Sequence, residues 1–233
     1  VFDNIRSGQA GVDANAVSAH GCASNCLIDG LWFEGNQCDH IGSDCIQIGG
    51  QSTRIGNVYI RNNQCQGGET YGENCVDVKS NDPTIGPLVI ASNTIRGYRP
   101  CEADQDCSGS LGPGIVIHDG SSPSLFANGV QLIENTFEDN TYGLNVGQGA
   151  RNTEVIRNIF RLNKVSGLIA SGADGLIISG NTFDRNPTQG NIASDVLHCQ
   201  IGPNTFIGKQ GFTGGSQCTR ISEPPTPTPT PRP

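Results

Sequence analysis

The chain has 233 residues, with 22 acidic and 14 basic side chains for a net charge of −8, and 32 glycines against 6% aromatics. That charge balance excludes nucleic acid and anionic membrane as favoured partners, and no apolar run reaches membrane-spanning length. Ten cysteines predict an oxidising, extracellular compartment. Without a signal peptide or any Met, the sequence reads as a mature or trimmed product.

Short apolar runs bounded by Gly or Asn follow one another along the chain, with no sustained helical period. Residues 1–6 read as a strand-and-anchor fragment, so the chain is expected to start within a coil. Strands are then predicted around residues 30–36, 46–48, 58–63, 76–78, 88–93, 115–117, 130–135, 144–146 and 175–183. Their side chains alternate inward and outward at period two. The motif Asn-x-Phe recurs every 23 residues, at Asn135, Asn158, Asn181 and Asn204, and degenerate copies begin at Asn36, Asn63 and Asn93. Units this short cannot bury an apolar face alone, so they must stack into a solenoid. Residues 1–222 are expected to form that one domain, of about seven to eight coils without obvious caps, and 223–233 a Pro/Thr-rich tail or linker. The repeated Asn suits a turn position near the left-handed region, with side-chain amides bonded along the axis.

The repeat also suggests a cysteine pairing. Cys38 and Cys65 hold the same anchor position in neighbouring units, and Cys45 and Cys75 both precede the next strand. Stacked strands lie about 4.8 Å apart, a spacing a disulfide tolerates. This predicts vertical Cys38–Cys65 and Cys45–Cys75 staples. Proximity in sequence suggests Cys101–Cys107, Cys22–Cys26 and Cys199–Cys218.

These motifs resemble the right-handed parallel β-helix of the pectate-lyase-like superfamily, which implies an all-β fold and leaves function open, because the superfamily holds enzymes, adhesins and structural modules. Stacking places Gly49, Lys79, His118, Gly147 and Ser171 in one outward column and Gln47, Asp77, Val116, Asn145 and Ile169 in the next. The segment from Glu73 to Ser80 is similar to the Lys-Ser strand of alginate and chondroitin lyases, and His118-Asp119-Gly120 stands where those enzymes carry Arg-His-Gly. The resemblance implies Lys79 as base, His118 as proton donor, and Glu73 with Asp77 as carboxylates able to hold Ca²⁺. Against this, a lysine beside an aspartate on a solenoid surface is commonly a solvated pair, and His20, His40 and His198 share no spacing.

The favoured reading is a different one. Open coil ends template association, so the chain is expected to assemble head to tail with copies of itself as an extracellular structural protein. Val1, Phe2 and Ile5 would meet Phe206 and Phe212. The tail would act as a strap or carry O-glycans at Thr226, Thr228 and Thr230. A polysaccharide lyase acting on uronate glycans and a non-catalytic carbohydrate-binding module are the alternatives.

Overall fold

The computed structural model describes residues 2–3, 15–19, 26–50, 53–67, 73–99, 112–119, 126–209 and 211–223. Among them there is no helix, and the strands form three parallel sheets of eight strands each. Each rung of the solenoid visits sheets A, B and C in turn. Phe2–Asp3, Val17–Ala19 and Cys26–Glu34 make the first, and Thr136–Glu138, Tyr142–Val146 and Glu154–Ile156 the fifth. Two-residue strands close the ends, at Phe2–Asp3, Thr213–Gly214 and Thr219–Arg220, so well-formed turns number about six, slightly fewer than expected.

Pairing is in register from rung to rung, and this sets the core. Phe137, Phe160, Phe183 and Phe206 are partners in sheet A. Their rings stack at 4.7, 4.8 and 5.5 Å. Opposite them stand Gly143, Gly167 and Gly190 of sheet B. A Cβ on Gly167 would lie 3.0 Å from the Phe183 ring and 3.1 Å from the Phe160 Cβ. Glycine is thus required here by the close approach of a ring.

The same two facing columns explain the disulfides, which differ from the vertical staples expected. Cys38 is bonded to Cys45 and Cys65 to Cys75, within rungs, at Cα separations of 6.0 and 5.7 Å. Cys38 and Cys65 are indeed register partners, and a vertical bond is not forbidden. Cys199 and Cys218, which immediately precede the register pair Gln200 and Thr219, are bridged at a Cα separation of 4.7 Å. What decides the earlier pairs is convergence. Cys38 points across the interior at Cys45 as Phe160 points at Gly167, so the bonded sulfurs fill the space that a ring fills in later rungs. Cys26 is disulfide-bonded; the expected partner Cys22, and the pair Cys101–Cys107, lie outside the described residues.

Asparagines line the corner between sheets C and A. The backbone N–H of Asn135 donates to Asn158 Oδ1 at 2.9 Å, and Asn135 Nδ2 donates to the same oxygen at 3.0 Å and to the Ile90 carbonyl at 2.8 Å. The pattern runs from Asn36 to Asn204. The left-handed residue, however, is the one before the Asn in every rung but that of Asn204, which follows Pro203: Asn62, Ser92, Glu134 and Arg157 have φ of 54–57°. The ladder Asn needs an ordinary backbone to aim its amide inward. A second ladder, Asn140, Asn163 and Asn186, lines the corner between sheets A and B.

At one end Phe2 stacks on Phe33 at 5.8 Å. At the other, Phe212 turns edge-on to Phe183 and Phe206, at 88° and 85°. The aromatic ladder therefore ends under a ring of its own chain rather than bare.

Candidate functional site on sheet B

The outward columns of sheet B fall as the stacking predicts. Gln47, Asp77, Val116, Asn145 and Ile169 are successive register partners. In the adjacent column the N–H groups of Lys79, His118, Gly147 and Ser171 each donate to the carbonyl one rung earlier. These strands begin with a bend that adds a third column, in which Asp44 pairs with Asn74, and Tyr142 with Ser166 and Thr188.

Asp77 is the centre of the lower half. It is only 4% exposed. His118 Nε2 lies 3.0 Å from its Oδ1, Lys79 Nζ 3.1 Å from Oδ2, and Gln47 Nε2 donates to Oδ2 at 3.5 Å. Burial opposes ionisation, but the hydrogen bonds and charges of His118 and Lys79 outweigh it and hold the carboxyl below the usual range. His118 and Lys79 are themselves about one-third exposed at the side chain, so their far sides face the solvent.

Asp44 behaves oppositely. Full burial, reinforced by the charges of Asp77 and Glu73, pushes its carboxyl well above the usual value. Asn74 Nδ2 donates to Asp44 Oδ1 at 2.9 Å, whereas Asp44 Oδ2 and Asn74 Oδ1 are buried acceptors without a donor. A proton on Asp44 supplies the missing donor between them. The two carboxyls are thus shifted in opposite directions on neighbouring rungs, an arrangement suited to acid–base work.

Towards the last rungs the same face opens into a groove lined by Tyr142, Ser166, Ile169, Thr188, Asn191 and Thr213. The Ca²⁺ expectation does not fit. Both oxygens of Asp77 are engaged by donors, two of them on potentially cationic groups. Elsewhere, His40 pairs with Asp39 at 2.8 Å and His198 with Asp174 at 2.6 Å, while His20 lies outside the described residues. Gln47, Asn74 and Asp44's buried state were not singled out from sequence. The signal lay in three polar side chains on strands of otherwise apolar residues.

The fold is a right-handed parallel β-helix. Residues 106–220 match the family model described as right handed beta helix region. No curated protein and no solved structure matches the chain. The match supports the architecture alone. Among the described residues no helix is long and apolar enough to cross a membrane.

Proposed function

We propose that the sheet B face binds an acidic polysaccharide and that Asp77, His118 and Lys79 form a proton-transfer centre, making the chain a polysaccharide lyase. The observation that carries this reading is the nearly buried Asp77 gripping a histidine and a lysine at once, on the same sheet as a groove that opens along the later rungs. A solvated surface pair would not bury its carboxylate.

The geometry favours exchanging the roles expected from the resemblance. An ammonium held 3.1 Å from a carboxylate suits neutralising a substrate uronate, not abstracting a proton. The Asp77 carboxylate at Nε2 places the His118 ring proton there, so Nδ1 of the neutral imidazole can accept. His118 would take the proton from C5 of the uronate. The C4–O4 bond then breaks as the C4–C5 double bond forms, and the imidazolium returns the proton to O4. Incubation with pectate, alginate and glycosaminoglycans tests this through the ultraviolet absorbance of the unsaturated product. His118→Ala should lower kcat by about 10²–10⁴-fold, as loss of a general base does. Absence of product with all three polymers overturns the lyase reading, and glycan retention without product would favour a binding module.

The assembly reading keeps one supporting observation. Cys26–Glu34, nine residues long, is the edge strand of sheet C, with Leu27 at 61% and Trp32 at 49% exposure. Long exposed edges template pairing. Val1, Ile5 and the tail threonines lie outside the described residues, and extracellular location and glycosylation belong to this proposal alongside the oxidised cysteines.

A further inference from the structure

The outward face of sheet B changes character along the axis. The Asp77 column continues upward through Val116, Asn145 and Ile169 to Asn191 and Thr213, and the Lys79 column through His118, Gly147 and Ser171 to Ala193. The lower part of these columns carries Asp77, Lys79 and His118, and the upper part lines the groove. Ser171 stands two rungs above His118, about 10 Å away at about 4.8 Å per rung. Between them Gly147 keeps the surface low, since a Cβ there would lie 3.2 Å from the His118 Cβ.

The groove has a volume of about 360 Å³, a size that suits a small organic group, and none of its ten described lining residues is charged. Val165, 43% exposed, and Ile169 supply apolar surface. Tyr142, Ser171, Thr188 and Thr213 supply hydroxyls, and Asn191 an amide. Apolar surface beside neutral hydrogen-bonding groups complements the C–H faces and hydroxyls of an uncharged sugar. A carboxylate seated there would lose water without gaining a cation, and the protein's net charge of −8 adds to that cost.

We propose that the groove holds uncharged sugar units, so that the substrate is a mixed glycan, with a uronate at Lys79 and His118 followed by sugars whose carboxyls are esterified or absent. The inference rests on the glycan reading of the sheet B face and narrows it against fully ionised polyuronates such as pectate and alginate. Those polymers carry a charge on every unit, and the groove offers no cation to match it.

Pectin gives the cleanest comparison, because one backbone can be prepared with its carboxyls free or partly methyl-esterified. Isothermal titration of full-length His118→Ala, chosen to suppress turnover, should give a dissociation constant about ten-fold lower for the partly esterified polymer than for pectate at one ionic strength. Asn191→Lys in that background should cut the ratio to about three-fold or less by improving pectate binding. The same charge placed by Thr205→Lys, exposed on the outer face of sheet A, should leave the ratio unchanged. Pectate bound as tightly as the ester, or a ratio that Asn191→Lys does not move, overturns the neutral groove even if the wild type forms unsaturated product. Preference for the ester with no product from the wild type keeps the groove and removes only the lyase step. Binding of neither polymer overturns both.

Discussion

Asp44 and Asp77 stand on adjacent rungs, three residues apart in register, and have opposite linkage to pH. Asp77's carboxyl is held low by His118 and Lys79, so its contribution to stability is present above the ordinary carboxylate value and is lost as pH falls through its lowered one. Asp44's is raised by burial, so the folded state binds the proton more tightly than the unfolded chain, and stability declines as pH rises from the ordinary value through the raised one. Asp44→Asn keeps a donor for Asn74 Oδ1 and removes the ionisation. It should raise Tm at pH 7 by roughly 2–4 °C, the shift that about 1 kcal/mol makes in a domain of this size, and leave Tm at pH 4 nearly unchanged. Asp77→Asn should instead lower Tm at pH 7, since it abolishes the Lys79 ion pair and the His118 hydrogen bond of a buried carboxylate, and the same calorimetric scans distinguish the two.

At the level of strands, legibility followed periodicity. The 23-residue spacing predicted the stacked sheets, the outward columns and the first Asn ladder, because register repeats a position identically in every rung. The second ladder had the same spacing, at Asn140, Asn163 and Asn186, but its residues sit beside unlike neighbours and carry no anchor aromatic. Cys199–Cys218 is bonded as expected, but the vertical Cys38–Cys65 and Cys45–Cys75 staples are not, because a repeat aligns equivalent positions, while these bonds form between the inequivalent positions that face each other across a rung. The facing columns give two checks. Gly167→Ala should destabilise by about 1–3 kcal/mol in chemical denaturation, as overpacking does. Phe160→Cys with Gly167→Cys should form a further within-rung bridge, seen as two introduced thiols that do not titrate until a reductant is added. The corner offers a third. Leu162 holds φ 55°, a region that costs a side-chain-bearing residue roughly 1–2 kcal/mol, so Leu162→Gly should stabilise by up to about 1 kcal/mol.

For the whole molecule, the two ends and the two exposed faces compete to explain what the column does. The ladder is closed at its last rung by Phe212, which leaves the nine-residue Cys26–Glu34 edge as the surface through which copies would meet. Light scattering across a wide concentration range measures this: mass that grows with concentration and falls back with Leu27→Lys supports assembly, and a constant monomer mass rules it out. The cluster around Asp77 was partly visible in the sequence, since Asp77, Lys79 and His118 could be placed on one face by counting. Its depth was hidden, because burial on that face depends on packing across rungs and not on the local pattern.

The asparagine ladders turn the column into a ruler graduated in whole turns. Each amide serves the rung beside it as donor and acceptor together, so a turn duplicated or deleted entire leaves all remaining amides matched, whereas a residue added at a ladder corner strands two neighbours. The spacings of 27, 30 and 42 residues between the early anchors, against 23 later, show where length is free to vary, away from the ladder corners. Groove length on sheet B should therefore change among descendants of this chain in steps of about 4.8 Å, set by the copy number of rungs.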